Sequence, residues 1–133
     1  MTDKQHTILI CIGCNTDTDR QTARAKEWLT AHFPDARFTP VVHSAAYGKP
    51  SDAVPYANML CLATTPLDET SLSTLLHIGE AALGNTKERR LQDVILMDFD
   101  LLQYDNTKRH PDDWQRPYIR QLLQLLGEVS INR

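Results

Sequence analysis

The chain has 133 residues, 41% hydrophobic and 23% charged, the proportions of one soluble globular domain rather than of a disordered segment. Lys plus Arg is 14 and Asp plus Glu is 17, a net charge of −3 that argues against a dedicated nucleic-acid or membrane-surface binder. No apolar run approaches the ~18 residues of a membrane span, the polar opening MTDKQHT does not read as a signal peptide, and the odd number of cysteines, 3, suits a reducing cytoplasm better than a disulfide scaffold.

Thr7 to Gly13 (TILICIG) is a short, almost wholly apolar run ending in glycine, the pattern of a buried central strand. Asn15, Asp17 and Asp19 then offer turn and N-cap chemistry. Ala25, Trp28, Leu29 and His32 follow at helical spacing before Pro34. Phe38 to Tyr47 leans to strand, with Pro40 marking an edge or a bulge, and Gly48 to Pro55 (GKPSDAVP) is a loop by composition. Tyr56 to Thr64 returns to strand, antiparallel to the one before it because the connection is short. Leu72, Leu75, Leu76, Gly79, Ala82 and Leu83 define a second helix, capped by Asp68 or Thr70 and stopped by Gly84. Asn85 to Asp93 is polar and reads as a loop, and Val94 to Tyr104 (VILMDFDLLQY) as the strongest strand. After a polar link, Pro117 opens a last helix carrying Ile119, Leu122, Leu123 and Leu126, with Gly127 closing it. The order β-α-β-β-α-β plus a C-terminal helix predicts a single α+β domain over residues 1–133. Its fold class is ferredoxin-like, an antiparallel sheet with helices on one face.

The chemistry must come from particular residues, because this scaffold hosts many activities. Asp98 and Asp100 stand two apart on one strand and so share a face. Two carboxylates on a half-buried face repel one another unless a cation sits between them, and a hard ion such as Mg²⁺, bound by carboxylates and substrate phosphates, answers that need. The competing reading is a hydrated edge-strand face, which the apolar flanks VILM and LL oppose. Lys87, Arg89 and Arg90 before this strand and Lys108, Arg109, Arg116 and Arg120 after it make up half of the 14 Lys and Arg, a set suited to phosphate oxygens or simply to a solvated surface. Tyr56 and Asn58 could stack on and hydrogen-bond a flat heterocycle, although a strand-start tyrosine more often serves packing. Cys11 and Cys14 form a C-x-x-C, but Cys11 falls inside the strand and no helix starts there, which disfavours a redox pair. The scattered His6, His32, His43 and His77 give no zinc-like spacing.

Several segments, taken in order, resemble the 6-hydroxymethyl-7,8-dihydropterin pyrophosphokinase family of folate biosynthesis. Ile12 to Asn15 (IGCN) resembles its I-G-S-N turn, Tyr47 with Pro50 its Y-x-T-P-P loop, and Tyr56 to Asn58 its aromatic-x-Asn strand start. Glu80 with Gly84 resembles an I-E-x-x-x-G helix end, Met97 to Leu102 (MDFDLL) the I-D-x-D-I-L strand, and His110 to Tyr118 (HPDDWQRPY) the His, Arg and aromatic spacing of its P-H-x-x-x-x-x-R-x-F segment. The resemblance implies pyrophosphoryl transfer from ATP, as co-substrate, to the pterin hydroxymethyl oxygen, releasing AMP. It implies two Mg²⁺ ions on Asp98 and Asp100 and triphosphate contacts from His110 and Arg116. Tyr56, Asn58, Tyr118 and Pro50 would hold the pterin, and Glu80, Lys87, Arg89 and Arg90 would lie about the nucleotide. The chain would be a short and divergent member, since Ile95 and Gln92 stand where the family has a clamping Arg and a lid Trp, Asn85 follows Gly84 in place of Arg, and Lys49 replaces a Thr. These departures leave a second expectation, a non-catalytic homologue that binds a pterin, a nucleotide or a protein partner. The expected partners are otherwise the pterin and ATP, with no nucleic acid and no membrane, and the expected assembly is a cytoplasmic monomer or weak homodimer.

Overall fold

Alternation within the first apolar run decides the centre of the fold. In the computed structural model, which describes residues 4–45 and 54–131, that run is strand β1 (His6–Cys14), buried on both faces. Ile8, Ile10 and Ile12 point to one side of the sheet and Leu9 and Cys11 to the other, so a strand with no polar face must lie between two apolar layers. Helix α1 (Thr18–His32), strands β2 (Arg37–Phe38), β3 (Val42–Ser44) and β4 (Tyr56–Thr65), helices α2 (Glu69–Ala82) and α3 (Lys87–Leu91), strands β5 (Asp98–Tyr104) and β6 (Thr107–Lys108) and helix α4 (Pro117–Ile131) follow. The sheet order is β2-β4-β1-β5-β6, with β3 also on β4, and every pairing is antiparallel, so the fold is ferredoxin-like α+β.

Helices α1 and α2 bury Ala25, Leu29, Leu72 and Leu76, together with Phe33 just past α1, against Ile8, Ile10 and Ile12. Helix α4 buries Ile119 and Leu122 against Leu9, Cys11, Leu60 and Leu102 on the opposite face. The helices therefore occupy both faces rather than one, because the odd-numbered apolar residues of β1 require a cover of their own.

The edge strand breaks at Pro40, as its missing N–H requires. Phe38 pairs with Cys61 and Val42 with Asn58, four steps along the edge against three along β4, so one residue is bulged out. Thr39 bridges the break, its N–H donating to the Leu60 carbonyl at 3.1 Å and its hydroxyl accepting from the Leu60 N–H at 2.9 Å. Tyr47, Lys49 and Pro50 lie outside the described residues.

Four boundaries differ from expectation. The polar stretch after Gly84 contains α3, whose N-cap Thr86 accepts from the Arg89 N–H at 3.1 Å. Strand β5 begins at Asp98 rather than Val94. The Val94 N–H bonds back to Arg89 and Ile95 bonds to Asn15, so this stretch is buried without joining the ladder. The polar link after β5 holds β6 and a 3-10 turn at Asp113–Gln115. Gly127 does not close α4, which continues to Ile131; a glycine costs an open helix position only about 1 kcal/mol. Asp68 is the α2 cap, accepting from the Ser71 N–H at 2.7 Å, and Gly84 takes φ +107° just beyond that helix. No helix among the described residues is long and apolar enough to cross a membrane.

Candidate functional site

Because β1 runs antiparallel to both neighbours, its pairings place three strands' functional residues in one row. Gly13 sits opposite Asn58 on β4 and Asp98 on β5, and Cys11 opposite Leu60 and Asp100. All of these face the side covered by α4. Gly13 and Cys11 thus form the floor of a cavity of about 240 Å³, with Asp98 and Asp100 on one wall and Tyr56, Asn58, Ser44 and Ala45 on the other. Asp113, Arg116 and Tyr118 close it from the start of α4 and the 3-10 turn before it. That volume falls a little below the usual range of small-molecule sites, roughly 300 Å³ and above.

The electrostatics are dominated by carboxylates. Burial, then the neighbouring Asp98, pushes the Asp100 carboxyl up to about 6, with Asp113 and Glu80 adding to the effect and His110 opposing it. Glu80 is only 5% exposed. It accepts from the Phe99 N–H at 2.8 Å and lies 3.1 Å from His77 Nδ1. Burial and the nearby Asp98 raise its pKa, against the lowering contributions of the Phe99 and His77 contacts. Arg90 donates to Asp98 Oδ1 at 2.8 Å and lies 3.9 Å from Glu80. Arg116 lies 3.1 Å from Asp113, whose other oxygen is 3.9 Å from His110. His110 itself has φ 52° and lines a neighbouring hollow with His77, Phe99 and Asp100, so Asp100 stands between the two spaces.

The Asn58 amide donates to Ser44 Oγ at 2.8 Å and to the Val42 carbonyl at 3.1 Å, tying β3 to the cavity wall. Its Oδ1 faces the floor, 3.7 Å from where a Cβ on Gly13 would stand. Burial pushes the Tyr118 phenol up, so that it remains a neutral hydrogen-bonding group.

The basic residues converge less than their clustering in sequence implies. Arg90 and Arg116 reach acidic partners at the cavity. Arg109 makes a two-pronged bond to Glu69 on α2, at 2.8 and 2.7 Å. Arg89 donates to the Gly84 carbonyl at 2.6 Å, and Lys108 lies 4.5 Å over the Trp114 ring. Lys87 and Arg120 are exposed on α3 and α4. Ile95, at the position of the resembled family's clamping arginine, is 7% exposed and faces the core, while Gln92 is exposed. The C-x-x-C spacing puts Cys11 and Cys14 on opposite faces of β1, both thiols free and buried. Burial raises both pKa values, that of Cys14 to about 11, so neither is a ready thiolate.

Among the cavity residues, Asp113 and Ser44 were given no role by any motif, and Cys11 and Gly13, part of the C-x-x-C and IGCN patterns, were not marked by them as cavity residues. Asp113 was legible in retrospect as the residue three from both His110 and Arg116. Gly13 and Cys11 follow from carrying the alternation of Asp98 and Asp100 across the sheet.

Among the described residues no three His, Cys, Asp or Glu side chains group to hold a metal ion. Asp98 and Asp100 nevertheless supply hard oxygen donors of the kind Mg²⁺ takes when waters and substrate phosphates complete its shell. Burial, then the neighbouring Asp98, disfavours the ionised form of Asp100, which a cation would stabilise. The donor set therefore fits a divalent cation.

In class, this is a ferredoxin-like α+β domain with an acid-lined cavity at one end of its sheet, a scaffold that hosts many activities. Comparison with known families is more specific: residues 9–127 match 7,8-dihydro-6-hydroxymethylpterin-pyrophosphokinase (HPPK). The chain belongs to that family, and so to the pyrophosphokinases of folate biosynthesis. A search of curated proteins found no match.

Proposed function

We propose that the protein transfers the pyrophosphoryl group of ATP to the hydroxymethyl oxygen of 6-hydroxymethyl-7,8-dihydropterin and releases AMP. The observation that carries this reading is the meeting of Asp98 and Asp100 with Tyr56, Asn58, Arg116 and Tyr118 around one cavity, in a chain of this family. Tyr56 and Tyr118 flank the space in which the pterin ring would stack, and the Asn58 oxygen faces it as an acceptor for ring N–H groups. Arg116, steered by Asp113, presents its guanidinium to phosphate oxygens, and His110 stands beside Asp100 in the adjoining hollow. Asp98 and Asp100 would hold Mg²⁺. When bound, Mg²⁺ neutralises phosphate charge and lowers the pKa of the attacking hydroxyl. The acidic wall orients that hydroxyl towards the β-phosphorus, and α3 supplies Arg90 beside the same wall.

A second reading, a non-catalytic homologue that binds a pterin, a nucleotide or a protein partner, is favoured by one observation, the burial of Ile95 in place of an arginine. One assay separates the two. Incubation with Mg²⁺, ATP and the hydroxymethyldihydropterin is expected to release AMP, and Asp98→Asn or Asp100→Asn is expected to slow release by roughly 100-fold or more, the scale of losing ~3 kcal/mol of transition-state stabilisation. AMP release no faster than in those variants would contradict the enzyme reading, and pterin binding without turnover would establish the second.

A further inference from the structure

The only cation within hydrogen-bonding distance of Asp98, among the described ion pairs, is the protein's own. Arg90 Nη2 lies 2.8 Å from Asp98 Oδ1 and 3.9 Å from Glu80 Oε2, so one guanidinium spans two carboxylates beside the cavity wall. The side chain reaches there from α3, a helix of five residues that buries none of them. It is therefore held by its charge partners and can leave them without disturbing a core. Glu80 is fixed by contrast, through its bond from the Phe99 backbone N–H on β5.

We infer that Arg90 is a resident counter-ion which competes with the divalent cation for Asp98, so that a metal ion enters this site only as Arg90 withdraws. This rests on the reading of Asp98 and Asp100 as the metal-holding pair and adds the residue that controls access to them. Asp98 cannot give the same oxygen at full strength to a guanidinium and to a metal, and two cations at one carboxylate repel. Polyphosphate resolves the conflict. Its oxygens offer the displaced guanidinium a bidentate acceptor at least as good as Asp98, while Asp98 turns to the metal. Glu80, 3.9 Å from the same nitrogen, keeps the freed arginine near the site rather than in solvent. Metal and nucleotide binding are thereby coupled: bare cation binds weakly, and cation with nucleotide binds well.

The test titrates Mn²⁺ alone, without nucleotide, into the full-length protein and follows the free-ion EPR signal. Arg90→Met is expected to bind Mn²⁺ roughly five- to tenfold more tightly than the unaltered protein. Arg90→Lys, which keeps the charge, is expected to stay within about twofold of it. Adding Asp98→Asn to Arg90→Met is expected to abolish the gain. Because Arg90 is exposed on a helix without buried residues, these variants leave the fold intact, which far-UV circular dichroism checks. Equal Mn²⁺ affinity with and without the Arg90 charge would overturn the competition while leaving the acidic pair as a metal site. No Mn²⁺ binding by any of the proteins would overturn both.

Discussion

Burial and the neighbouring Asp98 hold the Asp100 carboxyl at about 6, well above an ordinary aspartate, and that shift has a defined consequence for stability. A carboxyl whose folded pKa exceeds its unfolded value favours folding at low pH, and the benefit is lost as pH rises through the folded value. In the metal-free protein, Asp100 therefore costs on the order of 1–2 kcal/mol at pH 8, after allowing for partial solvent screening. Asp100→Asn is expected to raise Tm by about 3–6 °C at pH 8 in the presence of a chelator, with roughly half of the difference left near pH 5 and none once the pH falls below the unfolded value, about 3.8. Calorimetry at the two pH values checks it, and an unchanged or lowered Tm at pH 8 would remove the electrostatic case for a cation site. A cation takes the ionised carboxylate, so its affinity is also expected to weaken as pH falls through about 6. The shared face of Asp98 and Asp100 was legible from spacing alone, because a strand has only two faces. The fate of each arginine was not. Arg109 goes to Glu69 and Arg90 to Asp98, choices set by which carboxylates the fold brings within reach.

At the scale of elements, the site depends on β5 being held in register against α1 and α2. Gly79 of α2 is the point of closest approach: a Cβ there would stand 2.6 to 2.8 Å from three ring atoms of Trp28, whose indole stacks on Phe99 with centroids 5.6 Å apart. An added methyl forces the indole out of its place between the two elements. Gly79→Ala is expected to destabilise the protein by about 1–3 kcal/mol, measured by urea unfolding; a stability within about 0.5 kcal/mol of the unaltered protein would show that the indole gives way freely. Asn15 fixes the other approach to β5, through its backbone bond to the Ile95 carbonyl and its side-chain bonds to Ile95 N and Asp93 O. The strands other than the exposed β6 and the three longer helices were legible because apolar periodicity marks them. Helix α3 was not, since it buries nothing and so leaves no apolar stripe. The late start of β5 was hidden for a related reason: Ile95 and Met97 are buried, and apolarity reports burial rather than strand pairing.

For the whole molecule, a net charge of −3 conceals an uneven distribution. Asp98, Asp100 and Asp113 meet in one cavity, with Arg90 and Arg116 as the bases drawn to them, while other basic residues answer partners elsewhere. The C-terminal helix makes that cavity possible. By covering the Leu9, Cys11 and Leu60 face it gives the sheet a second core, and its first turn carries Tyr118 to the cavity rim beside Arg116. In the function proposed above, this assembly moves two phosphoryl groups as a unit. Phosphorus-31 NMR of the complete reaction, with Mg²⁺, ATP and 6-hydroxymethyl-7,8-dihydropterin, tests it most directly. The ATP resonances are expected to give way to AMP and a pterin-linked diphosphate ester in equal amounts; ADP with a monophosphate ester, or an unchanged ATP spectrum, would rule that transfer out.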